Sequence, residues 1–312
     1  MLKIGTRGSK LALIQSQKLV DTLKRENPDI AIEVVIIRTS GDWKPSHGEV
    51  LLSEAEGGKG LFSKEIEMAL MDRRIDIGVH SLKDVPTFLP SGLALRHVMD
   101  RDDPRDAFIC NKASSIDELP EGAIVGTSSM RRQAIILSRR PDLKIVPLRG
   151  NVDTRLQKLD EGQVDATILA AAGLQRMKLQ DRITSYIEPE SMLPAVCQGI
   201  IGMEIRDDDE ATSKILNTIH NVKTGMVADA ERSLLTVLDG SCRTPIGSYG
   251  QWMDDQTLRL RGLVVSMDGT DTYCAEETAT VTTSADAHAL GLRVGQVIKA
   301  KTPKECLQVH GG

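Results

Sequence analysis

Aromatic residues are scarce in this sequence: Trp, Tyr and Phe together make up 3% of its 312 residues. The core must therefore be built from Leu, Ile, Val, Ala and Met. Proteins that bind single-stranded nucleic acid stack bases on aromatic side chains, so the scarcity argues against that class. The net charge of -5 also argues against it, because nucleic-acid-binding domains are usually basic.

Long apolar runs, a signal sequence and clustered cysteines are also missing. No apolar run approaches the roughly 18 residues that a membrane helix needs. Residues 1–5 lead into a strand-like segment without the apolar stretch of a signal peptide. The five cysteines form no Cys-x-x-Cys pair and no Cys/His cluster, so neither a zinc site nor a disulfide framework is indicated. We therefore expect a cytoplasmic protein that binds no metal, membrane or nucleic acid.

The sequence does contain an alternation of strand-like and helix-like segments, which is typical of α/β proteins. Hydrophobic periodicity predicts strands at 2–6, 32–37, 75–79, 123–127, 144–149, 166–170 and 200–205. It predicts helices at 10–26, 62–73, 129–140, 152–161 and 208–219. The last part differs, since two helices at 224–238 and 285–300 flank a hairpin at 257–266 and 272–281. We predict three domains, of which the last is α+β.

Two of the predicted strand-to-helix turns share a pattern. Residues 4–9 and 125–129 each end a strand in Gly-Thr, pass through small residues and enter a helix. The backbone N–H groups at such a helix start favour an anion. Two ordinary turns with serine caps would have the same local sequence. Their repetition in consecutive α/β units shifts the balance toward a ligand that binds between domains.

Positive charge is concentrated in residues 125–155, where seven Arg and Lys residues face two Asp, an excess of five in an acidic chain. Loops at the carboxyl ends of strands are where α/β sheets bind ligands. Arginine binds carboxylates through a planar, bidentate fork. Arg139, Arg140 and Lys144 suit a solvated face. For the others we favour a polyanionic ligand; they are Arg131, Arg132, Arg149 and Arg155.

Three further segments leave a choice open. Lys83 and Asp84 follow a strand and precede Pro86, so Asp84 is either a backbone cap in a turn or a catalytic carboxylate. Residues 42–60, which end in a Gly-rich stretch, are either a lid over a site or a plain surface loop. Cys242, in a Gly-flanked loop after a helix, is either a nucleophile or attachment point, or a small buried apolar residue.

Taken together, these segments resemble the porphobilinogen deaminases, also called hydroxymethylbilane synthases. The resemblance covers most of the chain from Thr6 to Gly247 and depends on long motifs. These motifs are residues 57–62, 80–86, 101–108, 125–133, 148–152, 154–156, 193–196, 198–199 and 240–247.

The resemblance implies two doubly wound α/β domains similar to periplasmic binding proteins, plus a small α+β C-terminal domain. The expected first domain is discontinuous and combines 1–99 with 200–217, the second is 105–193, and the third is 222–312. The resemblance also implies the reaction. Four porphobilinogens are joined head to tail with loss of ammonia, giving the linear tetrapyrrole hydroxymethylbilane. The family works as a monomer and carries a covalent dipyrromethane cofactor.

The resemblance also assigns roles to residues. Cys242 matches the cysteine that anchors the dipyrromethane, and Asp84 matches the catalytic aspartate, which also contacts the cofactor. The other expected cofactor-binding residues are Lys83, Thr127, Ser129, Arg131 and Arg132. The expected substrate-binding residues are Arg7, Ser9, Gln15, Arg149, Arg155, Arg176 and Gln198. Residues 42–60 match the family's flexible active-site loop.

One alternative is a non-catalytic, two-lobed protein that binds a polycarboxylate ligand. Such a protein would have no need of Cys242, and its secreted forms would carry a signal peptide. The arginine-rich region suits both alternatives, because each pyrrole unit carries an acetate and a propionate group. A covalent adduct on the protein would distinguish the enzyme from the binder.

Overall fold

The computed structural model describes residues 1–39, 63–238 and 244–307. Its strands are β1 Leu2–Arg7, β2 Ile32–Ile37, β3 Ile77–Ser81, β4 Leu93–Val98, β5 Asp106–Cys110, β6 Ile124–Gly126, β7 Lys144–Val146, β8 Ala166–Ala170, β9 Ser185–Ile187, β10 Ile201–Arg206, β11 Ile246–Trp252, β12 Thr257–Val265 and β13 Thr272–Thr280. Its α-helices are α1 Lys10–Glu26, α2 Lys64–Met71, α3 Met130–Arg139, α4 Val152–Asp160, α5 Ala171–Arg176, α6 Glu210–Asn217, α7 Val222–Val237, α8 Ser284–Lys301 and α9 Lys304–Leu307. These residues divide into two compact units, one of 1–39, 63–102 and 199–225, the other of 103–198, 226–238 and 244–307.

The first unit is built on a mixed sheet with the strand order β2-β1-β3-β10-β4. Strands β1, β2 and β3 are parallel, whereas β10 runs antiparallel to β3 and β4. Helices cover both faces of the sheet, because its strands are apolar on both sides. One face packs against Leu19 and Leu23 of α1, and the other packs against Ile66 and Leu70 of α2.

The second unit contains a sheet with the strand order β7-β6-β8-β5-β9. Every residue of β5 is buried, and its side chains alternate between the two faces. Phe108 belongs to the apolar cluster that includes Ile136 of α3. Ala107 and Ile109 belong to the cluster on the other face, with Leu156 of α4. This sheet is therefore also covered by helices on both faces.

The C-terminal part of the second unit is an antiparallel sheet, β11-β12-β13, packed against helices. Leu234 of α7 and Ile298 of α8 lie over Gly262 of β12. The β12–β13 turn rests on α3, since a Cβ atom on Gly269 would lie 2.4 Å from the backbone nitrogen of Ser138. Gly269 has a φ of +79°, which glycine adopts without steric cost.

The predicted fold class, two α/β sheets with helices on both faces and a small α+β C-terminal part, is confirmed by this topology. The three-domain division at the predicted boundaries stays a prediction. None of the helices in the described ranges is long and apolar enough to cross a bilayer.

Several strands differ from the sequence prediction. Strand β3 begins at Ile77 and not at residue 75, because Arg74 and Ile75 both donate their N–H groups to Ala69 at the end of α2. Four short strands were missed by periodicity; they are β4, β5, β9 and β11. Such strands are defined by their pairing partners, which lie far away in the sequence.

Candidate functional site

In the first unit, the candidate residues lie at the carboxyl ends of β1 and β3. These strands are parallel neighbours, with Ile4 opposite Ile77, so their ends meet at one edge of the sheet. Strand β1 ends at Arg7, and Ser9 then caps α1 by accepting a 3.3 Å hydrogen bond from the N–H of Ala12. The predicted turn with a serine cap is therefore present, next to the end of β3.

Gln15 connects the two strand ends. Its Nε2 donates a 2.8 Å hydrogen bond to the Oγ of Ser81, the last residue of β3, and the Gln15 side chain is buried. A short 3₁₀ turn, Leu82–Asp84, follows. In that turn Lys83 is half-buried and Asp84 is exposed, so the Asp84 carboxylate is accessible to a ligand.

In the second unit, the turn between β6 and α3 is stabilised by hydrogen bonds from its backbone N–H groups to its own hydroxyl oxygens. The Oγ1 of Thr127 accepts a 3.1 Å hydrogen bond from the N–H of Ser129. The Oγ of Ser129 accepts one of 3.4 Å from the N–H of Arg132 and caps α3. Ser128 donates to the carbonyl of Leu148 at 3.1 Å, which ties this turn to the one after β7.

The turn between β7 and α4 carries Arg149 and Gly150, and Arg155 follows in the first turn of α4. Gly150 has a φ of +111°, a conformation that favours glycine. The Nε of Arg155 donates a 2.8 Å hydrogen bond to the Gly150 carbonyl. Because β6 and β7 are parallel neighbours, these arginines and the Thr127–Ser129 turn belong to the same edge of the sheet.

Arg131 and Arg132 are buried, with exposed fractions of 4% and 6%. Both pair with Asp106, which is 0% exposed. The Nη2 of Arg131 lies 2.8 Å from one carboxylate oxygen of Asp106, and the Nη2 of Arg132 lies 2.8 Å from the other. One carboxylate thus faces two guanidinium groups, and the cluster retains one positive charge.

Burial alone would raise the pKa of Asp106. The charges of Arg131 and Arg132 and the hydrogen bonds from Arg132 and Gln198 outweigh burial, and they hold this pKa well below its usual value. Burial lowers the pKa of the Arg131 guanidinium, an effect that Asp106 opposes. The neighbours of Asp106 therefore favour its ionised form.

Gln198 is fully buried beside this cluster. Its Nε2 donates to the carbonyl of Pro104 at 2.8 Å and to Asp106 at 2.9 Å. The family resemblance implies a contact between Gln198 and substrate, which stays a prediction. Its recorded bonds connect two segments of the second unit.

Two of the remaining candidates lie elsewhere. Arg176 is the last residue of α5 and is half-buried. Cys242 lies outside the described residues, as does the predicted loop at 42–60.

Asp106 was not singled out from the sequence, although it belongs to one of the recognised motifs. It comes directly before the apolar run Ala107-Phe108-Ile109. A carboxylate at the start of a buried strand requires a charged or hydrogen-bonding partner, and the nearby excess of arginine could have indicated one.

The donor set of the second unit fits a ligand with several carboxylates. It combines a buried cluster of net positive charge, two further arginines and hydroxyl groups at the start of α3. Guanidinium groups and helix starts both bind carboxylates. A group that carries acetate and propionate side chains matches this chemistry.

Comparison with solved structures finds binding proteins of low sequence identity. The methionine-binding protein MetQ is 15% identical, with a TM-score of 0.45, over 74% of this chain and 94% of that one. A periplasmic substrate-binding protein of an ABC transporter from Coxiella burnetii is 13% identical, with a TM-score of 0.42, over 74% and 97%.

Comparison with sequence families gives a closer match. The profile described as "Porphobilinogen deaminase, dipyromethane cofactor binding domain" matches residues 2–214, and the C-terminal domain of the same family matches 226–300. Porphobilinogen deaminase from Nitrobacter hamburgensis is 47% identical over 99% of this chain and 96% of its own length. The chloroplastic porphobilinogen deaminase of Oryza sativa is 48% identical over 88% and 76%. The chain therefore belongs to the porphobilinogen deaminase family of transferases, the hydroxymethylbilane synthases of porphyrin biosynthesis.

Proposed function

We propose that this chain condenses four porphobilinogens into hydroxymethylbilane on a dipyrromethane attached to Cys242. In each condensation the aminomethyl carbon of one porphobilinogen loses ammonia. That carbon then bonds to the free α carbon of the terminal ring of the chain already bound, which gives up a proton. Release of the finished tetrapyrrole consumes one water, which becomes the hydroxyl group of hydroxymethylbilane. The observation that carries the proposal is the buried pair Arg131 and Arg132, which face the single carboxylate of Asp106 in a chain of this family.

The arginines bind the acid side chains of the pyrrole units. Arg131 and Arg132, held at the start of α3, bind carboxylates of the dipyrromethane together with Thr127, Ser129 and Lys83. Arg7, Arg149, Arg155 and Arg176, with Ser9, Gln15 and Gln198, bind carboxylates of the incoming substrate. Carboxylates bound in this way fix the position of the rings, because a guanidinium fork holds both oxygens of an acid group.

Asp84 is the catalytic residue. Positive charge develops on a pyrrole nitrogen as ammonia leaves and as the new bond forms. A carboxylate that accepts a hydrogen bond from the pyrrole N–H stabilises this charge and can move a proton. The exposed position of Asp84 after β3 supports this role.

The dipyrromethane supplies a primer that keeps the growing chain bound to the protein. Cys242 provides the thiolate that holds it, and the glycine-flanked loop predicted from its sequence would suit a group that must remain accessible. We also propose that the protein is a cytoplasmic monomer. Cys110, Cys197, Cys274 and Cys306 are free thiols in the described part of the chain.

The test is the mass of the intact, untreated protein before and after addition of porphobilinogen. We expect the purified chain to exceed its sequence mass by two linked pyrrole units, and to gain further units with porphobilinogen. Cys242→Ala should lose both the added mass and the activity. The matched control is Cys274→Ala, which removes an exposed thiol. An active protein whose mass equals the sequence mass would disprove the proposal. The proposed monomeric state is tested separately, by measuring the molar mass in solution with light scattering.

A further inference from the structure

Asp106 is a buried titratable group to which the proposed function gives no role. It is the first residue of β5, where it lies opposite Ala170 of β8 and Ile187 of β9. The side chain is fully buried, so an ionised carboxylate there must be stabilised by its neighbours. Those neighbours are two of the arginines assigned to the dipyrromethane.

The two oxygens of Asp106 face different guanidinium groups: among the described residues, Oδ1 accepts hydrogen bonds, whereas Oδ2 makes an ion-pair contact only. One oxygen accepts from Arg132 through Nη2 at 2.8 Å and Nε at 3.2 Å, and from Gln198 at 2.9 Å. The other oxygen lies 2.8 Å from the Nη2 of Arg131. Since each oxygen holds one arginine, the position of the carboxylate fixes the spacing between the two.

A second contact completes the orientation of each guanidinium group. The Nη1 of Arg131 donates to the carbonyl of Leu193 at 2.7 Å, and the Nη1 of Arg132 donates to that of Ile168 at 2.9 Å. Arg132 is therefore held by hydrogen bonds at all three of its nitrogens, and Arg131 is held by one hydrogen bond at Nη1 and an ion-pair contact at Nη2. The remaining N–H groups point in set directions, and the Nε of Arg131 has no hydrogen-bond partner within the described residues.

The charge balance also depends on Asp106. With it, the buried cluster has one positive charge; without it, two guanidinium groups would repel each other with little screening. A net charge of +1 leaves the arginines attractive to a carboxylate ligand and still stable in its absence. A neutral residue at 106 would double the charge but lose the alignment.

We propose that Asp106 is a positioning residue that aligns Arg131 and Arg132 for the carboxylates of the dipyrromethane. This inference rests on the proposed function. It predicts that the rate at which the dipyrromethane attaches to the protein depends on the alignment of Arg131 and Arg132 more than on the net positive charge of their cluster.

The experiment measures loading of the apo-protein, purified from cells that make no porphobilinogen. Porphobilinogen is added at increasing concentrations, and the adduct is followed by intact-protein mass spectrometry. We expect Asp106→Asn to load at least about tenfold more slowly at saturating porphobilinogen, since a charge-assisted hydrogen bond is worth about that factor or more. If charge alone were limiting, the variant would load as fast as wild type or faster, and that result would overturn the proposal.

A control variant separates alignment from general stability. Glu231→Gln neutralises another fully buried carboxylate of the same unit, which accepts from the N–H groups of Cys197 and Gly250. We expect it to lower the melting temperature but to load at a rate within about threefold of wild type, because the bonds that it weakens are to backbone N–H groups and not to a guanidinium group. If Asp106→Asn and Glu231→Gln lowered the melting temperature equally and slowed loading equally, Asp106 would act through stability alone, and the positioning role would be refuted.

A double-mutant cycle tests whether Asp106 acts through the arginines. Arg132→Lys removes the fork that Asp106 holds. If Asp106 acts through Arg132, Asp106→Asn should slow loading much less in a protein that already carries Arg132→Lys than in wild type. Full additivity would contradict the proposal.

Asp106→Glu covers the case in which Asp106→Asn does not fold. It keeps the charge but moves it by one methylene, so we expect a folded protein that loads several-fold more slowly. Wild-type loading by a folded Asp106→Glu variant would refute the alignment role. If wild-type apo-protein itself gains no adduct, the proposed function fails instead.

Discussion

The side chain of Gln15 reaches from α1 to Ser81 at the end of β3, with 2.8 Å between its Nε2 and the serine Oγ. This bond joins the turn that follows β1 to the segment that carries Lys83 and Asp84. The two strand ends of the first unit are thus connected by side chains as well as by backbone pairing. The segment that carries Asp84, the proposed catalytic residue, is therefore anchored to α1 as well as to its own strand.

The first prediction concerns Asp84. Replacing Asp84 with Asn removes the negative charge and keeps the size of the side chain. We expect the adduct to remain but turnover to fall by at least about 100-fold, the usual contribution of a general acid–base or electrostatic catalyst. Mass spectrometry and steady-state kinetics check the two parts. Asp29→Asn, at an exposed position, is the control; near-normal turnover in the Asp84 variant would remove it from the mechanism.

The second prediction concerns the bidentate role of Arg149. Lysine keeps the charge but offers a single point donor where arginine offers a fork. We expect Arg149→Lys to reduce kcat/KM for porphobilinogen by about tenfold or more. Arg139→Lys is the matched control, because Arg139 pairs with Asp117 at 2.8 Å on the surface. Equal kinetics in the two variants would argue against a carboxylate fork at position 149.

The third prediction concerns the contact between the β12–β13 turn and α3. Gly269→Ala would combine left-handed backbone strain with a clash against Ser138. We expect a loss of about 2–4 kcal/mol in the free energy of unfolding. Gly122→Ala, at a φ of +72° with nothing within 4 Å, should lose only about 1 kcal/mol from backbone strain. Urea denaturation measures both, and equal losses would mean that the clash is relieved by movement of the turn.

The fourth prediction is a pH dependence of stability from His97. Burial lowers the pKa of His97; the charges of His220 and Arg96 lower it further, while a 3.1 Å contact with Asn217 opposes the shift. The unfolded chain therefore binds a proton at higher pH than the folded chain does. As the pH falls below about 6.5, His97 should cost up to about 1.4 kcal/mol per pH unit until its folded pKa is reached.

The measurement for His97 is urea unfolding between pH 7.5 and 5.5. His97→Asn should flatten the loss of stability on the acid side, whatever its effect at pH 7.5. His288→Asn, at an exposed position, is the control substitution. An unaltered slope in the His97 variant would show that other groups cause the acid loss.

Part of this protein can be predicted from its sequence because the relevant signals are local. The helix at 10–26 and the strands at 32–37 and 166–170 were predicted with the bounds that the structure has. In each, the apolar period and the flanking cap or turn residues lie within the element itself. The Gly-Thr turns and the arginine-rich segment were also recognisable, because turn chemistry and charge need no distant partner.

Only the tertiary structure decided which side chains meet across the sheets. Strand β5 acquires its identity from pairing with β8, about sixty residues away, and the role of Asp106 depends on helix α3 packing behind that strand. Burial strengthens the ion pairs between this aspartate and the two arginines, because charges removed from water must be stabilised by opposite charges or hydrogen bonds. Sequence patterns name residue types along the chain, whereas distance and desolvation, which set their energies, arise only when the chain is folded.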